Sequence, residues 1–426
     1  MTIKRFFVLF LSVLLTACGG GSGGEVVQDD TPPTLAGVKS VVLGENHSCA
    51  QTEQNQTKWL CWGYNSSGQL ASATTTNKVL APAQLPHLAS ASVQANQVAS
   101  EVLLALGERH SCQLWSGRVF CWGDNASGRL GDGSSVDSYA PVALKASAGG
   151  VMSEVLSLAV GYGHGCVVKS SNAVAANVVV NTKLAMCWGS NTSGQLGDGT
   201  KTNRSFPVLV NQADKTPLTD VVEIVAGKAH SCAIVSRQNE LKCWGANTYG
   251  QQGVATVDKF VNSPKYKNGD ALLSIDQIAL GADHTCALVK GEVLCFGRNH
   301  LGQLGDGSDQ DRSFAEPVRN EKGDILGQIT KVAARGNQTC AIVKRSQLWC
   351  WGANDDGQLG INSQINKNSA VLVEKLSGVL DVAVGGAHVC AIVGEGRALF
   401  CWGKNNYGAL GLGHDNEVLV PTAVIR

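Results

Sequence analysis

One sentence of residues is spelled seven times along this chain: a Gly, then His-Ser-Cys or a near copy, a hairpin's worth of residues, Cys-Trp-Gly, and Gly-Gln-Leu-Gly. The first cysteine of each copy is Cys49, Cys112, Cys166, Cys232, Cys286, Cys340 and Cys390. The second is Cys61, Cys121, Cys187, Cys243, Cys295, Cys350 and Cys401. These are fourteen of the fifteen cysteines, and Cys18 lies elsewhere. A strand-rich unit of about fifty to sixty-five residues, repeated in this way, predicts a closed ring of blades. A repeated residue usually serves the scaffold, so function is sought where the copies differ.

Residues 1–17 read as a leader. Lys4 and Arg5 give a positive start, and Phe6 to Leu15 is almost wholly apolar but too short to span a bilayer. Leu15-Thr16-Ala17-Cys18 resembles the bacterial lipobox, which implies cleavage before Cys18 and a lipid on that residue. Gly19 stands where an inner-membrane retention Asp sits in enteric bacteria, which points to the outer membrane. Residues 18–37 are Gly/Ser-rich and end near Pro32-Pro33, the composition of a flexible tether. The folded part is expected over 38–426, anchored to a membrane but folding in water.

The chain carries 34 basic and 34 acidic residues, and no Lys/Arg cluster interrupts the repeats. Nucleic-acid binding needs a basic footprint, so that class of partner is excluded.

The copy around Cys286 shows how a unit folds. His284 to Val289 leads to Lys290-Gly291, and Glu292 to Gly297 runs back. A two-residue loop ending in Gly signals a hairpin. Counting outward, Cys286 faces Cys295 in the fourth pair, a non-hydrogen-bonded pair with Cα atoms about 4.5 Å apart. A disulfide accepts that spacing. Cys112 and Cys121 flank Ser116-Gly117 in the same way. Seven hairpin disulfides follow: Cys49–Cys61, Cys112–Cys121, Cys166–Cys187, Cys232–Cys243, Cys286–Cys295, Cys340–Cys350 and Cys390–Cys401. The rival readings are reduced core thiols or zinc, and zinc would need four ligands that neighbouring blades hold apart.

Trp62, Trp122, Trp188, Trp244, Trp351 and Trp402 recur at one strand position, with Phe296 in the fifth copy. They read as packing between blades rather than a carbohydrate platform. His47, His110, His164, His230, His284 and His388 also recur, but Gln338 replaces His in the sixth copy, where Arg335 also replaces Gly. A Gln there points to a buried, hydrogen-bonded structural role. Asp132, Asp198 and Asp306 lie in Gly-Asp-Gly and read as turn residues rather than calcium ligands.

Gly-x-x-His-Ser-Cys-Ala, Cys-Trp-Gly-x-Asn and Gly-Gln-Leu-Gly resemble the repeats of the regulator of chromosome condensation family, from about Val38 to Arg426. The resemblance implies an all-β, seven-bladed β-propeller closed by strands from both chain ends. Residues 421–425 would then join the blade of Cys49 and Cys61. Nucleotide exchange on a GTPase does not carry over to an exported, lipidated chain, and fold alone does not assign function.

Alternating strands put the Gly-x-x-His turns and the Asn-x-x-Gly-Gln-Leu-Gly loops on one face, here called the constant face. The Cys-hairpin turns and the links between repeats lie on the other, the variable face. Val168 to Ala185 is twelve residues longer than its Cys286 counterpart, and Gln84 to Glu101 and Phe260 to Ala271 are long links. Loops that break a repeat are where propellers usually bind. The expectation is a monomeric, non-catalytic scaffold without a cofactor or metal, binding an envelope protein or glycan. An exported lyase or hydrolase is the alternative. It would need a cluster of catalytic groups, and the non-repeat His87, His300 and His414 are scattered.

Overall fold

A computed structural model describes residues 33–53, 59–71, 76–84, 102–147, 149–175, 178–255, 269–344 and 346–426. Cys18 and the leader lie outside them, as does most of the two long links.

Seven antiparallel sheets stand around an axis, one per Cys pair, and they are numbered here as blades 1 to 7 in chain order. The inner strands are Val38–Leu43, Leu103–Leu106, Val155–Val160, Val221–Ala226, Gln277–Leu280, Ile329–Arg335 and Val379–Val384. Each inner strand touches the next, and the seventh touches the first. Two hairpin strands and an outer strand follow in every blade except blade 4, where three strands are described.

The β-rich sequence explains each blade. In blade 5, Val289 pairs with Glu292 and Cys286 with Cys295. Lys290 and Gly291 both take positive φ, the geometry of the tight hairpin turn. Each of the seven cysteine pairs is bonded within its own hairpin, with Cα atoms 4.1 Å apart. Trp62, Trp122, Trp188, Trp244, Trp351, Trp402 and Phe296 are buried between neighbouring blades.

Ring closure differs from the sequence expectation. Val418–Ala423 pairs with Ala398–Gly403 and so stays in blade 7 rather than joining blade 1. The register explains why: Phe400 and Cys401 take Ala423 and Thr422 as partners, as the equivalent strands do in the other blades. Closure comes from the residues just before blade 1. Leu35 donates its N–H to Val424 O at 2.7 Å, and Arg426 donates to Pro33 O at 2.9 Å. Met152, Leu218 and Leu326 make the same bond to Leu144, Val210 and Val318 inside the chain. Leu35 therefore fills a blade-to-blade position from the far end of the sequence. The propeller begins at Pro33, inside the stretch read from sequence as tether.

Candidate functional site

The repeated polar residues form one lock between successive blades. His47 Nε2 lies 3.2 Å from Ser111 Oγ, His164 Nε2 lies 2.8 Å from Ser231 Oγ, and His284 Nε2 lies 2.8 Å from Thr339 Oγ1. Each hydroxyl donates onward to a loop carbonyl, as Ser111 does to Gln69 O at 2.7 Å. The Trp indole donates to that same oxygen, at 2.9 Å for Trp122. With its hydrogen committed to the carbonyl, the hydroxyl accepts from the imidazole, so Nε2 carries the proton. Burial holds His47, His230, His284 and His388 down to about 3 and His164 to about 4, so the rings are neutral. These histidines are structural.

The Gly-Asp-Gly aspartates are turn residues as well. Asp198 accepts from Asn191 Nδ2 at 3.1 Å, Thr200 N at 2.9 Å and Arg204 Nε at 2.9 Å. Asp132 and Asp306 hold equivalent loops. Their oxygens are engaged by donors, so they are not free ligands for calcium. Among the described residues no three His, Cys, Asp or Glu side chains gather as a metal site.

Blade 6 breaks the pattern, and its two departures are coupled. In the other blades the turn must start with Gly, because a Cβ would run into the ring of that blade's own His, as at Gly281 against His284. Gln338 has no ring, and its amide donates to Gly385 O at 2.8 Å. The inner strand gains a residue, and Arg335 is admitted where Gly would stand. Its guanidinium crosses the axis. Nη1 donates to Leu106 O of blade 2 at 2.8 Å, and the carbon centre lies 5.2 Å from the Tyr162 ring of blade 3. Nε lies 4.0 Å from Glu45 of blade 1. Burial, and then the Glu45 charge, hold Tyr162 above the usual phenol range. Arg335, Glu45 and Tyr162 stopper the axis at the constant face.

Below this stopper lies a cavity of about 410 Å³. It runs from Tyr162 and Arg335 at the constant face to Ser157, Glu223, Gln277 and Lys331 near the variable face. Its walls are the free edges of inner strands, whose backbone groups demand polar company. At the mouth, bulges between the first and third residues of inner strands turn the second residue outward. Leu156, Val222 and Leu380 are thereby exposed; with Leu103, one step further along on blade 2 and paired without a bulge, they are 41–50% exposed and form an apolar collar. The residue that follows the outward one bridges blades at two junctions. Gln277 Oε1 accepts from Val332 N at 3.0 Å, and Lys331 pairs with Asp381. Glu223 occupies the same step in blade 4, and burial raises its carboxyl to about 7.

The long hairpin of blade 3 is a two-stranded ribbon on the variable face. His164–Ala175 pairs with Val178–Gly189 without a break in register, out to Ala175 and Val178. Most of Gln84 to Glu101 and of Phe260 to Ala271 lies outside the described residues, as does His87. His300 and His414 sit in loops of blades 5 and 7 and are not brought together. The constant face is regular in length but not in chemistry. Arg109 lies over Tyr64 at 5.7 Å and Arg298 over Tyr249 at 4.5 Å, at positions that vary from copy to copy. A scan for residues that interrupt the repeat, rather than for long loops, would have found these pairs, whereas Glu223 stands at a position that varies from blade to blade.

The sequence model of the RCC1-like domain matches residues 167–426, and that of the regulator of chromosome condensation (RCC1) repeat matches residues 116–168. The ultraviolet-B receptor UVR8 of Arabidopsis thaliana is 26% identical over 76% of this chain and 69% of its own length. The E3 ubiquitin-protein ligase HERC2 of Mus musculus is 27% identical over 95% of this chain, which spans only 8% of that ligase. Prp20p from Saccharomyces cerevisiae shares the fold with a TM-score of 0.67 and 20% identity, covering 86% of this chain and 85% of its own. Human WBSCR16 does so with a TM-score of 0.67 and 18% identity, covering 86% and 94%. With seven blades and a domain match over more than half its length, the chain belongs to the RCC1-like family of β-propellers.

Proposed function

We propose that this propeller is a non-catalytic interaction scaffold, tethered to the bacterial outer membrane through lipid on Cys18, which binds a protein partner on its variable face. The observation that carries the reading is the grouping on one face of the blade 3 ribbon and the apolar collar of Leu103, Leu156, Val222 and Leu380. Exposed apolar side chains around a concave centre fit a protein–protein contact. Family precedent supports the reading. Prp20p binds Gsp1p and histones, and Kap60 binds yeast RCC1 (Prp20). The partner here is an envelope or extracellular protein.

The test replaces residues 170–183 with Ser-Gly, which restores the nine-residue spacing of Cys112 and Cys121. The ribbon extends beyond the blade, so the melting temperature should hold. Cross-linking in intact cells, read by mass spectrometry, should lose the partner seen with the unaltered chain. An unchanged set of cross-links removes the ribbon from the interface.

A further inference from the structure

Six of the seven side chains at the channel mouth have a use or carry no charge. Ser40 and Ser157 are small and neutral, and Leu103 of blade 2 is apolar and part of the collar. Gln277 is bound to the backbone of blade 6, and Lys331 and Asp381 neutralise each other. Glu223 is the exception. It lines the cavity, and no oppositely charged group is directed to it by its neighbours: blade 3 offers Ser157 and Tyr162, blade 5 offers Gln277 beside Asp276, and blade 6 offers Lys331, already paired. Arg335 is at the far end, engaged with Leu106 and Glu45. Just outside Glu223 sit the exposed Val222 and, on the neighbouring blade, Leu156.

We infer that the mouth of the axial channel is a socket for a lysine side chain of the partner, with Glu223 receiving the ammonium and Val222 and Leu156 flanking the methylene stem. This rests on the variable face being the docking face, but the socket is testable without any partner. A lysine presents an apolar stem and a charged head, the order in which collar and carboxylate occur along the channel. The stopper makes the channel blind, so the head is held at Glu223 rather than passing through. Burial raises the Glu223 carboxyl to about 7, so part of its charge is lost near neutral pH, and an ammonium favours the charged form.

The probes are n-butylammonium, n-butanol and the peptide acetyl-Gly-Lys-Gly-amide, added to detergent-solubilised full-length protein carrying carbon-13 at glutamate carboxyls. The Glu223 signal is assigned by its loss in Glu223→Gln. Butylammonium should lower the Glu223 pKa by about one unit, as a neighbouring opposite charge does, and butanol should not. No shift with butylammonium, or an equal shift with butanol, overturns the socket. The lysine peptide should bind at least tenfold more tightly than butylammonium. If it binds no better, the site takes a small free amine and the lysine assignment is wrong. Loss of the scaffold reading would leave these shifts in place, so the two failures are distinct.

Discussion

His388 Nε2 lies 2.9 Å from Ser48 Oγ although 340 positions separate them. The same bond joins blades 1 and 2, 3 and 4, 4 and 5, and 5 and 6. Between blades 2 and 3 it is missing. The residue that should carry the hydroxyl is Gly165, and both ring nitrogens of His110 are buried without a partner.

That gap gives the first prediction. A Cβ at position 165 would press on the Trp188 ring, which has settled into the space. Gly165→Ala should therefore destabilise the fold by about 1–3 kcal/mol, the usual cost of overpacking. Gly165→Ser meets the same ring but supplies a hydroxyl to His110. It should be more stable than the Ala variant by about 1 kcal/mol, the net worth of one buried hydrogen bond. Denaturant melts of both variants decide it, and equal midpoints would show that His110 gains nothing.

Acid sensitivity is the second prediction. The buried histidines titrate near 3 to 4 in the fold against 6.5 when unfolded. The unfolded chain thus binds more protons below 6.5. Stability from these residues is complete above that pH and drains away as pH falls toward about 3. Thermal melts from pH 7.5 to 4 should drop steadily, with the disulfides intact.

The third prediction concerns the disulfides. Mapping of non-reduced peptides should recover seven links, each within one hairpin. Removing a bridge costs more as its loop lengthens. Cys286→Ala with Cys295→Ala should cost about 2.5 kcal/mol, and Cys166→Ala with Cys187→Ala about 3 kcal/mol, by the chain-entropy relation. A larger loss from the shorter loop would mean that native packing, not chain entropy, sets the value.

The fourth prediction addresses anchoring. Mass spectrometry of the mature N-terminal peptide should find Cys18 first and acylated. Cys18→Ser should release the protein from sedimented membranes. An unmodified start at another residue rejects the lipid anchor.

The blades were legible because their information is local. A separation of nine between Cys286 and Cys295, with a Lys-Gly turn between, leaves one register open. The structural role of the histidines was legible from the single replacement Gln338. Closure was not, since a bond from Leu35 to Val424 leaves no pattern in either neighbourhood. Arg335 was visible as a departure from Gly, but its reach to Leu106 depends on seven inner strands converging on one axis. Glu223 shares its position with Ser40, Leu103, Ser157, Gln277, Lys331 and Asp381, so nothing in the repeat singles it out.

Synthesis delivers Leu35 before the first blade and Val424 after the seventh. Every other junction can form as its two blades emerge, while this one waits for the last blade. Until then Trp62 and Leu410, which share one buried cluster, belong to separate bare flanks. A chain cut short at any blade keeps a flank bare. Completion of the seventh blade is thus converted into the disappearance of a sticky surface, the property by which chaperones and proteases sort finished molecules from failures.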